Sequence, residues 1–239
     1  MRYLPKERQT MLFSATMPPK IVHIASSYMH LPVRTEIAPA GTVAEKVTQE
    51  MFIVRKDLKA KLLDELLKQY TGSVLLFVRT KRGAQNITRT LKKMRYHAAE
   101  IHSDRSLSQR KEALSGFKNG RYRILAATDI AARGIDVTGI ELVIKYDLPD
   151  DPENYVHRIG RTGRAGCAGH SITLATPDQK AEVQNIEKLL RATIPLSSHP
   201  TMPAEKFSNS PSQRPTPHHH RHPNKSGFGH SRPPHHHHR

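Results

Sequence analysis

Apolar residues in this chain alternate between short unbroken runs and helical stripes. The runs at 74–78 (VLLFV), 123–127 (RILAA) and 142–146 (LVIKY) have the length and content of strands buried on both faces. Between runs the apolar residues recur at three and four, as in Leu58, Leu62, Leu63, Leu66 and Leu67, which share one face of a helix over 56–70. The same reading predicts strands at 47–54, 97–101 and 171–175 and helices at 82–94, 107–118 and 179–191. Strand–helix alternation at this spacing predicts an α/β fold, an open and mostly parallel sheet with helices on both faces. Ligands of such sheets bind beyond the carboxyl ends of the strands.

The ends of the chain depart from this rhythm. Residues 1–38 offer a strand over 10–15 (TMLFSA), a helix opened by Met17-Pro18-Pro19, and a second strand over 33–37. Ile21, Ile24, Ala25 and Tyr28 give that helix its apolar side. Two strands and one helix cannot close a core alone, so this piece is expected to be the remnant of a neighbouring domain. Residues 39–46, in the small-residue stretch APAGTVAE, read as a linker. The main domain spans 47–194. Residues 195–239 hold nine of the 17 prolines and ten of the 16 histidines, and only one acid, Glu205. Such a segment buries too little apolar surface to offset its ordering entropy, so it is expected to be a disordered basic tail. Its histidine runs at 218–220 and 235–238 read as RNA-contacting in preference to metal-binding, and no metal site is assigned.

Charge narrows the partners. Lys and Arg outnumber Asp and Glu by 38 to 21 and the pI is about 10.2, which favours RNA or DNA. The single cysteine, Cys167, excludes an internal disulfide and fits a reducing, cytoplasmic setting. No apolar stretch reaches the length of a membrane span. Asp64-Glu65 fits the polar side of its amphipathic helix better than a metal pair.

Candidate chemistry concentrates between Thr128 and Arg164, in TDIAARGIDV and YVHRIGRTGR. Arg158, Arg161 and Arg164 stand three apart, on one side of a helical turn, with Gly160 and Gly163 between them. Permanently charged planar forks with little bulk between them suit a polyphosphate.

These two stretches resemble motifs V and VI of the DEAD-box ATP-dependent RNA helicases, a superfamily-two family. RQTMLFSATMP and LLFVRTKRGA extend the resemblance from about Arg8 to about Ala175. It implies a RecA-like fold for 47–194 and places residues 1–38 at the end of a first RecA-like domain, with motif III at Ser14-Ala15-Thr16. It further implies that the chain is truncated at its start. Arg161 and Arg164 would be arginine fingers toward the γ-phosphate of ATP. Asp136, Arg133 and Gly134 would line the ribose edge. Arg79, Thr80, Gly83, Arg110, Thr128 and Asp129 would contact RNA. Ser14, Thr16, His157 and Arg158 would couple the two domains. Leu107 stands where the family carries glutamine, and Ser103 where His-Gly-Asp carries glycine, so one amide contact to RNA is in doubt.

The sequence contains neither a G-x-x-x-x-G-K-[ST] loop nor Asp-Glu-Ala-Asp. ATP and Mg²⁺ would therefore be held mainly by another segment, and this polypeptide alone is expected not to hydrolyse ATP. RNA contacts would go to backbone phosphate and sugar, without a base code. The partners expected are single-stranded or short duplex RNA, the other helicase half or other proteins, and no membrane. The competing readings are a non-catalytic RNA-binding module and a regulatory decoy.

Overall fold

The computed structural model describes residues 5, 7–14, 17, 19–35, 47–132, 135, 137–163 and 168–208. Its centre is a six-stranded sheet, parallel throughout, in the order β1-β6-β5-β2-β4-β3. The strands are β1 (Val47–Ile53), β2 (Val74–Phe77), β3 (Ala98–Ile101), β4 (Ile124–Ala127), β5 (Leu142–Lys145) and β6 (Gly169–Ala175). The helices are α1 (Pro19–Tyr28), α2 (Lys59–Gln69), α3 (Lys81–Lys93), α4 (Leu107–Lys118), α5 (Asp129–Ala132), α6 (Pro152–Ile159) and α7 (Lys180–Leu190). The sheet and its helices carry the open parallel α/β fold that the alternation implied, in the RecA-like form that the resemblance implied.

Burial follows the strand period. Val74 and Leu76 face the leucines of α2 with Ala84, Ile87 and Leu91 of α3. Leu75 and Phe77, alternating with them, face Ala113 and Phe117 of α4 and Ala131 and Ala132 of α5. Tyr155 and Ile159 of α6 and Val183 and Ile186 of α7 close a third cluster on Met51. The chain passes from β2 out to β3 and back to β4, then crosses to β5 on the other side of β2. The direction of winding therefore reverses between β2 and β5, the place where open sheets of this kind bind ligands at their strand ends. Asp64 and Glu65 both bind Lys68, at 2.8 and 2.9 Å, as a polar-face pair would.

Three expectations need correction. Residues 10–14 form no strand, and Met11 and Phe13 are exposed; without a neighbouring strand the run has nothing to pair with. Residues 33–35 are likewise irregular. Residues 195–208, expected as disordered tail, pack on the domain. Met51 N–H donates to Pro195 O and Ser197 N–H to Met51 O, both at 2.8 Å, and Met202 and Phe207 pack on the core. The linker at 39–46 and residues 209–239 lie outside the described residues. Among those described, no helix is long and apolar enough to cross a membrane.

Candidate nucleotide and RNA interface

The carboxyl edge of the sheet gathers most of the residues singled out in the sequence. Arg79 and Thr80 follow β2, Thr128 and Asp129 follow β4, and Asp147 follows β5 by two residues. Thr80 caps α3: its hydroxyl oxygen accepts from the Gly83 N–H at 3.0 Å. A Cβ on Gly83 would lie 2.8 Å from Val78 Cγ1, so glycine lets the helix start against the strand end. Both residues thus have local structural work, and the Gly83 N–H is already engaged. Arg110 lies in the first turn of α4, behind a Ser106/Gln109 capping box. Thr128 is partly exposed, and its carbonyl accepts from the Ala132 N–H at 2.9 Å, which starts α5.

Arg158 holds this edge together. It is buried to 1% exposure, and its Nε and Nη2 donate to the two oxygens of Asp129 at 2.7 and 2.8 Å. Its Nη1 donates to Asp147 O, and the guanidinium lies 5.1 Å from the Phe77 ring centre. A paired, bidentate, ring-stacked arginine is the form in which a buried guanidinium is best tolerated. Asp147 extends the link. Its Oδ2 accepts from the Arg79 N–H at 3.1 Å, and its Oδ1 lies 3.6 Å from Lys59 Nζ. Lys59, almost fully buried, donates to Tyr146 O at 2.6 Å. Burial lowers its pKa, against the pull of Asp147. The Arg79 side chain turns back to Leu148 O, with Nη2 at 3.2 Å, and approaches Asp150. One polar lattice thus joins the stretches after β2, β4 and β5 to α6.

The arginine spacing needs correction. Arg158 and Arg161 do not share one helical face, because α6 ends at Ile159. Arg158 turns inward, and Arg161 stands in the next turn, where its Nη1 donates to Ile135 O at 3.1 Å. Gly163 has φ 69°, and Thr162 donates to Ile140 O; a Cβ on Gly169 would strike this turn, 2.5 Å from Gly163 N. The turn is therefore pressed onto the start of β6. His157, on the last turn of α6, is half-buried, and Ser14 is exposed. Thr16, Arg133, Gly134, Asp136 and Arg164 lie outside the described residues.

Asp147 and Lys59 were not singled out in the sequence. Asp147 carried a signal, as an acid just past a buried run in the place that pointed to Arg79 and Thr128. Lys59 carried none; it reads as one more lysine on a helix. The Arg161 guanidinium beside Ile135 fits an anionic phosphate edge. Among the described residues no group of three or more His, Cys, Asp or Glu is placed to hold a metal ion.

Residues 58–166 match the helicase conserved C-terminal domain. The chain is 39% identical over 196 residues to the probable ATP-dependent RNA helicase DDX23 of Homo sapiens, covering 82% of this chain and 24% of that protein. It is 41% identical over 190 residues to the ATP-dependent RNA helicase DbpA of Bacillus subtilis (strain 168), covering 79% of this chain and 40% of the relative. The C-terminal domain of the DEAD-box protein Dbp5 overlays 64% of this chain and 90% of its own, with 30% identity and a TM-score of 0.58. S. cerevisiae Dbp5 bound to RNA and ADP BeF3 overlays 82% of this chain and 52% of its own, with 30% identity and a TM-score of 0.72. The chain spans only 24% and 40% of those two curated relatives. Motif order, parallel sheet and these likenesses agree: the chain belongs to the DEAD-box RNA helicase family, and its sheet is the family's C-terminal RecA-like domain.

Proposed function

We propose that the chain acts as the C-terminal half of an ATP-dependent RNA helicase, gripping RNA along its backbone and presenting arginines to a nucleotide held elsewhere. The lattice running Asp129–Arg158–Asp147–Arg79 is the observation that carries this reading, because it fixes three sequence-distant stretches at one edge of the sheet. A shift of the turn bearing Arg161 is transmitted through α6 and Arg158 to the loop bearing Thr128. That is the coupling a helicase needs between its nucleotide side and its RNA side. Arg110 and Thr128 supply charge and hydroxyl to phosphate, with Arg79 and Thr80 beside them. Arg161, with Arg164, places cationic charge where a phosphoryl group would develop negative charge. Asp136, with Arg133 and Gly134, takes the ribose, and Ser14 and Thr16 meet the other half. ATP, when bound, supplies the γ-phosphoryl group whose cleavage lets RNA go. The polypeptide itself has no phosphate loop.

One experiment on the purified chain tests both parts. Titration with single-stranded RNAs of unrelated sequence should give similar affinities that fall steeply with salt. ATP turnover should stay at background with or without RNA. Robust RNA-stimulated turnover would overturn the division of labour, and strong preference for one sequence would overturn the backbone grip.

A further inference from the structure

Away from the strand ends, a groove of about 640 Å³ runs between α3 and the edge strand β3. Three cations of α3, Arg89, Lys92 and Lys93, form one wall. All three are exposed, and none has a side-chain ion pair or hydrogen bond among the described residues. Glu100 of β3 is the one acid in the lining, and Arg105 is bonded to it. The groove therefore keeps a net positive charge.

The helix differs from its neighbours. α2, α4 and α7 each mix acids with bases, whereas α3 carries five bases and no acid. A merely solvated helix face has no need to exclude acids. Glu100 is paired with Arg105 and lies 3.8 Å from His102 Nε2, so its charge is met within the protein and the three cations of α3 are left for a guest. Position supplies the last element. α3 starts directly after Arg79 and Thr80. The three cations lie within about one helical turn, a rise of about 6 Å, the length of roughly two stacked nucleotides.

We propose that this groove is a second phosphate track, which takes the RNA backbone flanking the segment held at the strand ends. The inference rests on the RNA-binding reading above. Arg89, Lys92 and Lys93 bind successive phosphates and extend the footprint down the side of the domain.

The test is a triple variant of the full chain, R89Q/K92Q/K93Q. All three sites are exposed and glutamine keeps helix propensity, so folding is preserved. Binding is measured by fluorescence anisotropy to RNAs of about six and about eighteen nucleotides, across a salt series. The short RNA should bind both proteins alike. The long RNA should bind the variant about tenfold more weakly, with the slope of log affinity against log salt reduced by about 2. Equal affinity of the two proteins for the long RNA would overturn the track. So would a groove that binds inorganic tetrapolyphosphate, with loss in the variant, while long-RNA affinity is unchanged, since the guest would then be a free phosphate compound. Failure of the unaltered chain to bind even the short RNA would overturn the parent reading and the track with it, and the short RNA tells that failure from the others.

Discussion

The Lys145 side chain lies fully buried at the end of β5, and among the described residues no carboxylate pairs with it. Its Nζ bonds the Ser171 hydroxyl and sits 4.4 Å from the Tyr155 ring centre. A desolvated cation–π contact gives about 2 kcal/mol, while burying the ammonium costs several. The cost wins, and burial together with nearby Arg158 holds the Lys145 pKa well below its usual range. An unfolded chain binds this proton up to about pH 10.4. Between the folded pKa and that value the unfolded state holds more protons, so stability at this site rises with pH. Lys145→Met should therefore unfold at higher denaturant at pH 7, by about 1–2 kcal/mol, with the gap to the parent protein closing toward pH 10. A less stable methionine variant at pH 7 would show that the two contacts outweigh burial. Nothing along the chain marks this residue beforehand, because LVIKY reads as a strand with one polar interruption. Arg158 shows the same limit from the other side. Its motif placed it at the site, but only the fold shows that its fork is spent on Asp129.

Elements were legible where burial is continuous. The central strands lie within one or two residues of their apolar runs, since a strand flanked on both sides and covered on both faces must be apolar throughout. The helix α6 was not anticipated. It has eight residues, and on its buried side Arg158 stands between Tyr155 and Ile159, which breaks the apolar stripe. What starts it is local: Asp151 has extended backbone, its Oδ1 accepts from the Glu153 N–H at 3.0 Å, and Pro152 follows. Asp151→Ala should cost about 1 kcal/mol in urea unfolding, and Asp151→Asn should restore most of it. No loss in the alanine variant would mean that packing of Tyr155 and Ile159 alone fixes the helix. The described part of the expected first strand, residues 10–14, is irregular for a complementary reason: pairing belongs to two segments, and a single segment cannot announce its partner.

Across the whole molecule, the parts of the chain differ in how much interior they share. Among the described residues before β1, only Ala25 is buried, while Phe13, Leu31 and Val33 are each more than four-fifths exposed. Those residues add little to the stability of the sheet, which agrees with their proposed origin as the end of another domain. The stretch at 195–208 behaves oppositely. Besides its two bonds to Met51, Ser208 N–H donates to Pro177 O at 2.8 Å, and half-buried Met202 and Phe207 pack on two different clusters of the core. Two such side chains are worth about 2–4 kcal/mol by apolar area. A chain beginning at 47 should therefore unfold at the same denaturant concentration as the full protein. A chain ending at 194 should unfold earlier than one ending at 208, by that amount. The comparison is decisive because composition argues the other way: the segment is rich in proline and polar residues and reads as tail. Equal stability of the 194 and 208 chains would mean that these contacts form only after the core is complete and contribute nothing to it. A large loss on removing 1–46 would mean that the first segment is part of this domain and not a neighbour's remnant.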